Sequence, residues 1–169
     1  MAEVVYILSG SNLGDREKNL LKASANLDAI PGLEIIATSA LYLSQAQGMK
    51  GENPDFMNQV IMAEYQYRPN ELLNELEKLE LSMGRTGKGK LQPRVIDLDI
   101  LLFGDEIIKT DKLTIPHKQL LKRPFAMIPL LQLSPEIIHP EKQKPIADFL
   151  KKSDNDKVEL YKDHVARNI

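Results

Sequence analysis

The 169-residue chain contains no cysteine. That excludes a disulfide framework and a thiolate metal site, and it fits a reducing compartment. Tryptophan is absent too, and aromatics make up 5% of the chain. Stacking on a flat heterocycle would therefore fall to Phe or Tyr. Charge of neither sign dominates, and the net charge is −2. Without a broad basic surface, nucleic acid is not an expected partner, and an anionic ligand must be met locally. No apolar run reaches membrane-spanning length, and no charged-then-apolar leader opens the chain. A cytoplasmic protein with no membrane partner is the expectation. Internal repeats and low-complexity tracts are missing as well. The length suits a single domain over residues 1–169 with its own core.

The stretch from Pro93 to Phe103, PRVIDLDILLF, is where chemistry concentrates. Its alternation predicts a strand, with Ile96, Leu98, Ile100 and Leu102 on one face. Asp97, Asp99, Leu101 and Phe103 fall on the other. Carboxylates two residues apart on a strand lie about 7 Å apart along it. Two like charges that close repel, and bridging Mg²⁺ ions with phosphate oxygens in their shells would offset this. Arg94 stands just upstream, where it could meet a phosphate. The bland alternative is a solvated strand edge with two exposed aspartates. The apolar remainder of the same face implies that the face is covered, which favours a site.

Val4–Leu8 reads as a buried strand, followed by a turn-rich Gly10-Ser11-Asn12-Leu13-Gly14 loop. The loop lacks the Lys-Ser/Thr ending of a Walker A site. Its roles are a tight turn or a backbone that faces substrate. Asp15 is placed to cap a helix whose apolar positions are Leu20, Ala23, Leu27 and Ile30. Pro31-Gly32 ends that helix. Leu33–Tyr42 and Phe56–Tyr67 read as strands, with a long loop from Ser44 to Asp55 between them. Pro69 opens a second helix with a stripe of Leu72, Leu73, Leu76, Leu79 and Met83. Arg85–Gln92, RTGKGKLQ, reads as a mobile basic loop, either plain solvated surface or a lid over phosphates. A Gly104-Asp105 turn and Ile107-Ile108 suggest a hairpin. Arg123-Pro124-Phe125 opens a helical segment to Leu133. The tail after Leu150 is charged and patternless, either a peripheral helix or frayed. Strand, helix, two strands, helix, strand is the order of a split β-α-β, ferredoxin-like α+β sandwich.

Five segments, in order, resemble the 6-hydroxymethyl-7,8-dihydropterin pyrophosphokinase family of the folate pathway. They are VVYILSGSNLGDR, NPDFMNQV, ELLNELEKLELSMGR, R-x-x-D-L-D-I at Arg94–Ile100, and LTIPHKQLLKRPFAMIPLLQLSPE. Together they run from about residue 4 to about residue 150, leaving residues 151–169 as a charged tail. The resemblance implies the same α+β architecture, with a mostly antiparallel sheet extended by the later hairpin and the Pro93–Phe103 strand at its centre. It implies transfer of diphosphate from ATP to the hydroxymethyl group of the dihydropterin, giving AMP. Asp97 and Asp99 are then the metal ligands, with two Mg²⁺ ions expected alongside ATP. Arg85 and Arg94 complete the catalytic set. ATP would be held by Glu77, Glu80, Arg94, Ile100, Lys112, Thr114, His117 and Arg123. The pterin would meet Ser44 and Asn58, with Phe56 and Phe125 on its two faces. A monomer is expected.

Three positions depart from the family pattern. Leu91 stands where an aromatic residue is common, Ser44-Gln45 where Thr-Pro is usual, and Lys118 where Pro or Tyr follows the histidine. None removes a metal ligand. Two rival classes remain on the residues alone: a nucleotidyl- or glycosyl-transferase using D-x-D with Mg²⁺, and a non-catalytic ferredoxin-like binding domain. Product analysis separates the first, and absence of turnover marks the second.

Overall fold

Strand β1 (Glu3–Ser11) is the strand on which the sheet is built, because its apolar run is long enough to be buried on both faces. A computed structural model describes residues 2–45, 55–84 and 94–162. The basic run Arg85–Gln92, with Leu91 and Pro93, lies outside the described residues, as does most of the Ser44–Asp55 loop.

After β1 the Asp15 carboxylate accepts the Lys18 N–H at 3.1 Å and caps α1 (Arg16–Asp28). Leu20, Ala23 and Leu27 form its buried stripe, as their spacing predicts. The following strand expected over Leu33–Tyr42 is broken into β2 (Leu33–Thr38) and β3 (Leu41–Ser44). The cause is Ser39. Its hydroxyl accepts the Val60 N–H at 2.9 Å and donates to the Ala40 carbonyl at 2.8 Å, so a side chain takes the place of a ladder bond. Strand β4 (Phe56–Tyr65) and helix α2 (Pro69–Ser82) follow. Leu72, Leu76 and Leu79 of α2 are buried, and so is Glu80.

Strand β5 is Asp97–Phe103. Among the described residues the main sheet has six strands, in the order β10 (Val158–Lys162), β3, β4, β1, β5, with β2 also paired to β4, and each of these pairings is antiparallel. Since β1 and β2 both oppose β4, α1 links two parallel strands around a third. Helix α2 does the same for β4 and β5 around β1. The α+β class and the mostly antiparallel sheet are thus as expected.

Several expectations are corrected. Strand β5 ends the pairing path instead of occupying its centre. The later hairpin, β6 (Ile108–Lys109) with β7 (Thr114–Ile115), forms its own two-stranded sheet and does not extend the main one. A further small hairpin pairs β8 (Ile138–His139) with β9 (Lys144–Pro145). The extension comes from the tail. A 3₁₀ turn over Lys152–Lys157 leads into β10 (Val158–Lys162), which pairs with β3.

The sheet is covered on both faces. Helices α1 and α2 pack with Val5, Ile7, Ile61, Ile96, Leu98 and Ile100 on one face. Helix α3 (Pro124–Leu133) packs with Leu8, Val60, Leu101 and Leu102 on the other. Strict alternation on β5 fails after Ile100, where the β1–β5 register shifts. Leu101 and Leu102 both join the α3 side, and Phe103 returns to the α1/α2 side against Tyr65. A bulge inserts one residue and resets which face follows.

Candidate active site

Tyr42, Asn58, Gly10 and Asp97 are successive register partners across β3, β4, β1 and β5. Leu8 pairs with Asp99 in a neighbouring row. These rows put Asp97 and Asp99 on the α3 face, as the strand period predicts. Gly10 lies between Asn58 and Asp97 and has no side chain to fill the gap. A Cβ there would come within 3.0 Å of Asn58 Oδ1. The glycine sits inside β1, not in a turn, and it makes the floor of a hollow.

That hollow is a cavity of about 190 Å³ whose walls include Ser44, Phe56, Asn58, Arg94, Asp97, Asp99, Arg123 and Phe125. It therefore gathers all four residues expected at the pterin, both expected metal ligands, and two of the expected phosphate-binding arginines. Asn58 Nδ2 donates to Ser44 Oγ at 2.8 Å, which fixes the amide's orientation and leaves Oδ1 above Gly10. Arg94 donates to Asp97 Oδ2 at 3.1 Å, with both side chains mostly shielded from water. The Arg123 guanidinium lies 5.5 Å from the centre of the Phe125 ring, a cation–π contact that steadies both.

His117 approaches from the segment after β7. Its backbone N–H donates to the Leu101 carbonyl at 2.9 Å, at the β5 bulge. Its Nδ1 accepts the Gln119 N–H at 3.1 Å, leaving Nε2 to carry the proton. Burial, helped by Arg123 and Lys118 and opposed by Asp97, lowers its pKa to about 4. The ring is neutral at pH 7.

The other residues expected at ATP do not line that cavity. Glu80 is only 2% exposed and accepts the Leu98 N–H at 2.8 Å. Its carboxylate is engaged with the strand between the two aspartates. Ile100 is buried in the α1/α2 core. Because the Leu98 N–H turns outward, period 2 turns the Ile100 N–H outward as well. Glu77 is half-buried on α2, and Lys112 is exposed between β6 and β7. Thr114 and His117 line a separate cavity of about 570 Å³ beside the β6–β7 hairpin. Arg85 lies outside the described residues.

Asn12 was given no role by its sequence context. It is fully buried, its Oδ1 accepts the Arg94 N–H at 2.7 Å, and its own N–H donates to the Arg94 carbonyl at 3.0 Å. This reciprocal pair holds Arg94 at the entrance to β5. Leu8, Gly10 and Gln45 also line the cavity without having been singled out as contacts. Gly10 and Asn12 stand in the same GSNLG run, whose turn-like composition masked their positions.

A model of the 7,8-dihydro-6-hydroxymethylpterin-pyrophosphokinase family matches residues 6–135. The chain belongs to this family. Its relatives include the 2-amino-4-hydroxy-6-hydroxymethyldihydropteridine pyrophosphokinase of Aquifex aeolicus, 43% identical over 145 residues that span 86% of this chain and 89% of that protein. The pyrophosphokinase of the same name from Haemophilus influenzae is 35% identical over 138 residues, 82% of this chain and 86% of that protein. In fold the chain is similar to a Plasmodium falciparum HPPK-DHPS crystal structure with pteroate, at a TM-score of 0.70 and 16% identity. That match covers 88% of this chain and 42% of the longer one.

Proposed function

We propose that the protein transfers the diphosphate group of ATP to the hydroxymethyl oxygen of 6-hydroxymethyl-7,8-dihydropterin, releasing AMP, as a step of folate biosynthesis. Membership of the pyrophosphokinase family and the named relatives support this reading. The observation that carries it is the shared cavity. Two carboxylates and two arginines face it beside an amide and two phenylalanines.

The donor set suits magnesium. Asp97 and Asp99 supply hard oxygen ligands, and Mg²⁺ is commonly held by one or two carboxylates with phosphate oxygens and water completing its shell. We assign Asp97 and Asp99 as the residues that would hold two such ions. Magnesium bound there would offset phosphate charge and favour ionisation of the attacking hydroxyl.

The chain's own residues supply the remaining parts. Asn58, fixed by Ser44, presents an oxygen to the polar edge of the pterin, while Phe56 and Phe125 flank its faces. Arg94 and Arg123 bind phosphate oxygens through charge-assisted hydrogen bonds. Neutral His117 donates from Nε2 to a phosphate oxygen. Ile100 serves the nucleotide through its backbone, and Glu77, Lys112 and Thr114 complete its contacts. Glu80 acts indirectly, by fixing Leu98. In-line attack requires the hydroxymethyl oxygen near the β-phosphorus, and a pterin held on this floor beside the aspartates would bring it there.

The test is incubation with Mg²⁺, ATP and the dihydropterin, with the nucleotide product identified. AMP appearing in step with the pterin diphosphate is the expected result. ADP, free pyrophosphate without a pterin product, or no turnover would overturn the assignment.

A further inference from the structure

We propose that the C-terminal segment Lys152–Lys162 buttresses the acceptor pocket from outside, through β3 and helix α3, and that Asp154 is the positioning residue that locks it there. The inference rests on reading the Asn58–Phe125 cavity as the acceptor site. Three observations carry it. Strand β10 pairs with β3 so that Val158 lies opposite Ser44 and Glu159 opposite Leu43. Ser44 is the residue whose hydroxyl takes the Asn58 amide hydrogen. The orientation of Asn58 therefore depends on a strand that depends in turn on β10.

The second observation is a neighbouring cavity of about 490 Å³ that Phe125 also borders. It shares Ser44, Gln45 and Phe125 with the first cavity, and the tail contributes Asp156, Lys157, Val158 and Glu159 to its wall. Phe125 thus borders both spaces. The 3₁₀ turn and β10 both pack on α3, which carries that ring. A loosened tail would free both β3 and the helix that aims Phe125.

The third observation is how the segment is fastened. Asp154 is 6% exposed, and its carboxylate accepts the Lys151 N–H at 2.8 Å and the Lys157 ammonium at 3.3 Å. These bonds close the 3₁₀ turn and direct the chain into β10. At the far end Lys162 donates to Glu17 of α1 at 3.1 Å. A charged stretch with no apolar period is held by polar bonds instead of core burial.

The variants are Asp154→Ala, Asp154→Asn and Val158→Asp, the last leaving the turn intact. Kinetics with ATP and the dihydropterin are measured alongside calorimetry with a non-hydrolysable ATP analogue. Asp154→Ala and Val158→Asp should each raise acceptor KM about tenfold while nucleotide Kd changes by no more than about twofold. Asp154→Asn keeps an acceptor oxygen for the Lys151 N–H and should recover most of the loss. The side-chain amide resonance of Asn58 should move in Asp154→Ala and return in Asp154→Asn. If Asp154→Ala fails to fold, Val158→Asp decides. Unchanged acceptor KM in a folded variant, or equal losses for acceptor and nucleotide, overturns the inference. Failure of the underlying reading looks different, because the unaltered protein would then release no AMP with this acceptor.

Discussion

Asp97 and Asp99 should each be indispensable to turnover. Asp97 is joined to Arg94 at 3.1 Å, so Asp97→Ala should lose about 1–2 kcal/mol of stability together with turnover. Asp99→Ala should abolish AMP release as completely. Assays paired with thermal melts check both. Mg²⁺-dependent turnover near normal in either variant would remove the metal assignment. Glu80 invites a different test. Glu80→Ala strands the buried Leu98 N–H and should cost about 1–3 kcal/mol in urea unfolding, whereas Glu80→Gln keeps an acceptor and should cost less. His117 gives a pH dependence. Its folded pKa of about 4 lies below the ordinary value of 6.5. Between those values the unfolded chain binds more protons, so stability falls as pH drops through that window. The full penalty is up to about 3 kcal/mol, reached below the folded pKa. Urea unfolding at pH 7 and pH 4.5 should show this loss, and His117→Gln should lack it.

At the scale of the element, β5 shows how far period-2 reasoning reaches. Ile96, Leu98 and Ile100 lie on the α1/α2 side and the aspartates on the other, as alternation requires. Past the bulge the pattern reverses for Leu102 and Phe103. A bulge is a property of two strands in register, so no window on one of them reveals it. Phe103→Ala tests the reversed placement. With Phe103 at 2% exposure and edge-on to Tyr65, the variant should lose about 3–5 kcal/mol in denaturant unfolding. A ring on the aspartate face would disturb acceptor binding instead. The helices were legible because capping and 3.6-residue spacing are local signals: Asp15 caps α1, and Pro69 and Pro124 open α2 and α3. The break at Ser39–Ala40 was not, since it depends on Val60, Gln59 and Gln132, which are remote in sequence.

For the whole molecule, the sheet is common to both apolar layers. Loss of either layer would bare one face of the strands on which the other layer also packs. Thermal unfolding should therefore be a single transition, with calorimetric and van't Hoff enthalpies equal. Two resolved transitions would show that the α3 side melts apart from the α1/α2 side. Composition and local pattern by themselves determined the α+β class, the helices, the strand with its aspartates, and through the five ordered segments the family. Those properties follow from side-chain chemistry and short-range periodicity. Tertiary structure alone decided that Gly10 makes a floor, that Asn12 holds Arg94, that Glu80 binds the β5 backbone, and that the patternless tail becomes a strand beside Ser44. Each of these depends on a partner distant in the chain, and a pairing partner leaves no periodic trace in the residues that receive it.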